Sequence, residues 1–116
     1  MPITARYAFF AAMDVDADKE DLFNEVYDQE HVPSLMKVPG VVSVSRMKTE
    51  PAALKIGGEE KPLTGEGQAS YVAIYELESP EVLLSDAWAA AVEDGRWPEQ
   101  VRPYTRNRSH ILRKLV

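Results

Sequence analysis

Two histidines occur among 116 residues, and one of them, His31, stands where chemistry can be done. It follows Phe23 by eight positions and Tyr27 by four, so on a helix it prolongs an apolar stripe that faces a sheet. An imidazole with an ordinary pKa of about 6.5, half-buried there, is placed to act as a general acid or base. Asp28 precedes it by three residues, one helical turn, where a carboxylate can fix the ring tautomer. The competing role for His31 is architectural: capping a helix end kinked by Pro33, or donating to a carbonyl that the proline frees. Tyr75 is the second chemical candidate, because a buried phenol needs a hydrogen-bond partner. A tyrosine and a histidine facing one cavity can polarise a carbonyl or a phenol. Phe9, Phe23, Tyr27 and Trp88 are the aromatic residues suited to wall such a cavity. They are equally suited to fill the core.

Other chemistries find little footing. Asp28-x-x-His31 is half a metal site, but no second such pair exists and the only other histidine is His110; zinc and di-iron centres need three or four placed ligands. No cysteine is present, which removes disulfides, thiolate ligands and thiol nucleophiles. There is no Gly-x-Ser-x-Gly elbow, and Gly65-Glu66-Gly67 lacks the lysine and following helix of a phosphate loop. We therefore expect neither a metal nor another cofactor. Thirteen basic against nineteen acidic residues give a net charge of −6, which disfavours nucleic acid and anionic membranes as partners. The charge is uneven: eight acids and one lysine lie between Asp14 and Glu30, five bases and no acid between Arg102 and Val116. Arg106 or Arg108 can hold an anionic substrate, or these bases can form ion pairs across a dimer and solvate an edge strand.

The elements that must position these residues are legible. The length suits one domain, residues 1–116. Ala5 to Met13 is apolar on both alternating faces, a strand covered on both sides. Asp16 or Asp18 can cap a helix running from about Asp18 to His31, with a further turn before Pro39-Gly40 stops it. Val41 to Met47 alternates and is β-branched, a second strand. Pro51 to Gln68 carries four glycines and two prolines, and reads as a mobile lid or an irregular hairpin. Ser70 to Leu77 is a strand apolar on both faces. Ser79 then caps a helix that opens with Pro80 and Glu81 and ends near Gly95. Tyr104 to Leu115 is the last strand. No segment is long and apolar enough to cross a membrane, and acids directly after the first apolar run argue against a signal peptide. A cytoplasmic protein is expected.

The element order is a split βαβ, ferredoxin-like α+β arrangement with a four-stranded antiparallel sheet. Two helices cover one face of such a sheet, yet the first and third strands are apolar on both. The economical cover for the other face is a second copy packed sheet to sheet, a homodimer.

The stretch Phe23-Asn24-Glu25-Val26-Tyr27-Asp28-Gln29-Glu30-His31-Val32-Pro33-Ser34-Leu35, followed by Val38-Pro39-Gly40-Val41, resembles the first-helix signature of EthD-like proteins in the dimeric α+β-barrel superfamily. Ser79-Pro80-Glu81 and Trp97 to Asn107 resemble its second helix and the approach to its last strand. The resemblance spans nearly the whole chain apart from the 51–68 connection. It implies the ferredoxin-like fold with two sheets packed as a dimeric barrel. It also sets His31 on the histidine of the family's Glu-His-x-Pro motif, which in related enzymes faces a cavity between helix and sheet. Two functions are then expected. One is a cofactor-independent enzyme acting on a hydrophobic, carbonyl- or phenol-bearing metabolite, with His31 transferring protons, Asp28 orienting it and Tyr75 donating a hydrogen bond. Phe9, Phe23, Tyr27, Trp88 and Arg108 would bind the substrate. The other is a non-catalytic dimeric ligand-binding or accessory protein of a catabolic or biosynthetic pathway.

Overall fold

The computed structural model describes residues 3–116. Six strands form: β1 (Tyr7–Val15), β2 (Val41–Lys48), β3 (Ala52–Ile56), β4 (Glu59–Leu63), β5 (Tyr71–Leu77) and β6 (Thr105–Lys114). Four of them make one antiparallel sheet in the order β2-β5-β1-β6, and β3 pairs only with β4. The first helical stretch comprises α1 (Glu20–Val26), a π turn (Tyr27–His31) and α2 (Val32–Met36). The second crossover contains a 3-10 turn (Pro80–Leu84), α3 (Asp86–Ala91) and a π turn (Trp97–Val101). This is the ferredoxin-like topology expected, with a hairpin inserted after β2.

The helices lie on one face of the sheet. Met13, Ala73, Tyr75 and Leu77 point from β1 and β5 into a core closed by Phe23, Val26, Leu35 and Val101. On the opposite face no helix covers Phe10, Ala12, Val72 or Ile74, and Met47 and Ile111 beside them are 56% and 42% exposed. No helix among the described residues is long and apolar enough to cross a membrane.

Three local expectations need correction. Neither Asp16 nor Asp18 caps the first helix; the Asp16 carboxylate lies 2.5 Å from the Arg106 guanidinium instead. Ser79 makes no side-chain cap either. The chain re-extends at Ser85, whose hydroxyl accepts from the Trp88 N–H at 3.1 Å and donates to the Val82 carbonyl at 2.7 Å. A serine that satisfies the end of one turn and the start of the next splits the expected single helix in two. Finally, the 51–68 connection is largely a regular hairpin, β3–β4, turning on Gly57 and Gly58 with φ of 60° and 80°. Two successive left-handed residues are what a tight two-residue hairpin turn requires.

Candidate functional site

His31 ends the first π turn, which closes with the Val32 N–H on the Tyr27 carbonyl. An uninterrupted α-helix would need an N–H at position 33 for the carbonyl of Gln29, and proline has none. The helix widens just before it, a distortion that recurs at functional sites. The His31 side chain is turned inward and only 5% exposed. Its ring stacks on Trp97 at 4.3 Å and meets Tyr27 edge-on at 5.0 Å.

Trp97 is held there by a staple between the two crossovers. The Arg96 backbone N–H and Nε donate to the two carboxylate oxygens of Glu30 at 2.9 and 2.6 Å, and its Nη2 lies 3.0 Å from Glu25. Gly95 precedes it at φ +69°, where a Cβ would come within 2.5 Å of Glu30 Oε1. Glycine takes this left-handed backbone without strain, and a Cβ there would push the Glu30 carboxylate off Arg96.

Between the helices and the sheet lies a cavity of about 410 Å³, walled by His31, Tyr75, Phe9 and Trp88 among others. Its floor is Ala11, paired across the sheet with Ala73 and His110. Small side chains there leave the space that the flanking Phe9 and Met13 bound. Phe9 packs edge-on to Trp88 at 5.9 Å and tilted to Tyr75 at 5.7 Å, and Trp88 meets Tyr75 at 5.4 Å.

Two polar groups sit on the inner wall. The Tyr75 hydroxyl shares a 2.8 Å hydrogen bond with the Tyr27 hydroxyl. Burial raises both phenols, Tyr75 well above its ordinary value, so both remain neutral donors. His31 Nδ1 is buried without a hydrogen-bond partner among the described residues. Burial, helped by the positive charges of Arg102 and Arg46, lowers the His31 pKa to about 4. The ring is therefore neutral at physiological pH, with one nitrogen free to accept.

The structure thus gathers His31, Tyr75, Phe9, Trp88 and Arg108 around one cavity. It separates the other three candidates. The Asp28 carboxylate binds the Arg46 guanidinium at 2.6 Å and its side chain is 63% exposed. The orienting contact to His31 is absent because a stronger, charged partner on β2 takes the carboxylate. Phe23 and Tyr27 are core residues, 1% and 2% exposed, and Tyr27 stands behind the cavity wall, touching the His31 ring and bonded to the Tyr75 hydroxyl. The architectural alternative for His31, a bond to a carbonyl freed by Pro33, is not what holds Nδ1. Trp97, Arg102 and His110 also line the cavity and were not anticipated. His110 was readable, being two residues after Arg108 on the same strand face; Trp97 had no local signal. No cluster of three or more metal-ligating side chains occurs among the described residues.

No protein-family model matches the chain, and no curated protein matches it. Solved structures do. The heme-degrader MhuD from Mycobacterium tuberculosis, with two hemes bound in its active site, is 16% identical with a TM-score of 0.61, over 95% of each chain. An EthD family protein from Bacillus halodurans is 13% identical with a TM-score of 0.58, over 95% of this chain and 99% of that one. A dimeric ferredoxin-like protein of unknown function from Thermobifida fusca is 9% identical with a TM-score of 0.53, over 99% and 96%. The chain has the fold of these proteins. That is the fold its EthD-like motifs imply.

Proposed function

We propose that the cavity binds a small hydrophobic metabolite bearing a carbonyl or phenol, and that the protein transfers a proton on it without a cofactor. The observation that carries this reading is the pairing of two neutral polar groups, His31 and Tyr75, on the inner wall of a cavity otherwise walled there by aliphatic and aromatic side chains. That is the usual composition of a small-molecule site. Tyr27, bonded to Tyr75, can donate to it and so turn the Tyr75 proton towards a ligand oxygen. His31 then accepts the proton lost from the ligand; its low basicity limits it to ligands whose acidity rises when Tyr75 holds the developing oxyanion. The same low basicity favours a second reading, ligand binding without turnover.

One domain, residues 1–116, would carry the site, and two copies would pair through the helix-free sheet face. For a heme, as in MhuD, the donors on the cavity wall are two imidazoles, the Met13 thioether and the Tyr75 phenol. Burial holds that phenol neutral, and the buried imidazole has no partner on Nδ1 to steady an iron-bound ring, so we take the ligand to be a smaller organic molecule.

The experiment is a screen of aromatic ketones, phenols and hemin for binding, followed by proton–deuterium exchange in heavy water read by NMR. Exchange next to the carbonyl that disappears in His31→Phe supports the enzyme. Binding without exchange leaves the second reading. Hemin binding tighter than every organic ligand would replace both.

A further inference from the structure

The mouth of the cavity opens along β6, where Arg108 and His110 are exposed while His31 and Tyr75 lie buried at the inner end. Resting on the reading of this cavity as a ligand site, we propose that its ligand is an acid: an apolar aromatic body carrying a carboxylate that Arg108 binds at the mouth.

Arg108 is a guanidinium held in place by neutral acceptors. Its Nε donates to Thr105 Oγ1 at 2.9 Å and its Nη2 to the Arg102 carbonyl at 2.8 Å. Two of its five N–H donors are thereby used and the rest stay free. Arg46, Arg96, Arg102 and Arg106 each meet a carboxylate. Arg108, like Arg6 and Arg113, meets none among the described residues, and of these three it alone lines the cavity. An ordered arginine with unclaimed donors at the rim of an apolar cavity is suited to a planar carboxylate.

The backbone aims it there. Asp14 pairs with Arg106 and Ala12 with Ser109, which leaves Asn107 and Arg108 together opposite Met13. Asn107 absorbs this bulge at φ 53°, the one non-glycine residue with positive φ among those described, and its Nδ2 donates to Asp14 Oδ2 at 3.1 Å. Arg108 lies on the cavity side by alternation with His110, which pairs with Ala11. The bulge instead shifts Thr105, which pairs with Val15 and whose hydroxyl accepts from Arg108 Nε. It thus places an acceptor that holds the guanidinium at the cavity rim.

The test compares three probes by calorimetry at neutral pH: naphthol, a hydroxynaphthoate and the corresponding hydroxynaphthamide. Naphthol reports the cavity alone. The acid is expected to bind about tenfold or more tightly than the amide, the effect of a charge-assisted pair at a partly exposed site, and to weaken as salt rises while the amide does not. Arg108→Gln should bring the acid down to the affinity of the amide and leave the amide unchanged; Arg108→Lys should keep part of the difference. Equal binding of acid and amide by the unaltered protein, with naphthol bound, overturns the anion subsite alone. Failure of all three probes overturns the cavity reading and this inference with it.

Discussion

His31 exposes a physical tension at the scale of single residues. A neutral imidazole buried without a partner on Nδ1 is destabilising, and the cost grows on acidification. Its folded pKa is about 4 against about 6.5 in the unfolded chain, so between those values only the unfolded state binds the extra proton. Stability should therefore be full above about pH 6.5 and decline as pH falls towards 4, by about 2–3 kcal/mol. Asp14, Glu30 and Glu76, whose carboxyls are lowered chiefly by backbone N–H donors, begin to lose their contributions only below about pH 4.5. His31→Phe keeps the stack on Trp97 and removes the titrating group. Denaturant titrations of both proteins across this window, at one protein concentration, should show a flattened pH dependence in the variant. An unchanged slope would mean that His31 is solvated or bonded in solution. The position of His31 was legible because its spacing from Phe23 and Tyr27 fixes the helix face. Its environment was not. Spacing sets Asp28 one turn away, but cannot show that Arg46 on β2 binds that carboxylate first.

At the scale of elements, the two-sided apolar runs of β1 and β5, the alternation of β2 and the Pro39-Gly40 and Ser79-Pro80 boundaries carried the fold. Reading failed where two short structures replace one. Ser85 splits a helix because its hydroxyl serves both ends, a contact that propensity does not reveal. The 51–68 connection looked irregular by composition, although Gly57-Gly58 between alternating residues was the signal for a hairpin. Register left no trace in the sequence at all: the bulge at Asn107 depends on how β6 meets β1. The β3–β4 hairpin also makes a prediction. Every residue of both strands is exposed, and Leu54, Ile56 and Leu63 share one face at 47%, 58% and 46% exposure. A lone two-stranded hairpin is marginally stable and opens at little cost. Trypsin should cut first at Lys55, since Pro62 blocks the bond after Lys61, with Lys19 and Lys37 protected by the helix docked on the sheet. Earlier cleavage at Lys19 or Lys37, read by mass spectrometry over a time course, would contradict that ranking.

For the whole molecule, the decisive asymmetry is between the two faces of the sheet. One is packed under helices and holds the cavity; the other offers Phe10, Val72, Ile74, Met47 and Ile111 to whatever lies against it. A contiguous apolar surface of this kind on a chain of net charge −6 marks an interface. The proposed occupant is the same face of a second copy, since a two-fold pairing of flat, like surfaces closes on itself and leaves no further patch. Both cavities would then open away from the interface, so assembly would stabilise the floor at Ala11 and Ala73 without contributing to the mouth at Arg108. This separation is testable with one substitution. Ile111 is 42% exposed in the single chain, so Ile111→Asp should fold but set two carboxylates on the apolar face that pairs, beside Phe10, where unpaired charges are costly. Sedimentation at micromolar concentration should give twice the chain mass for the unaltered protein and the single mass for the variant. A single-chain mass for both would remove the sheet-to-sheet pairing and leave the apolar face to another partner. A double mass for both would place the contact elsewhere, with the exposed hairpin face the next surface to alter.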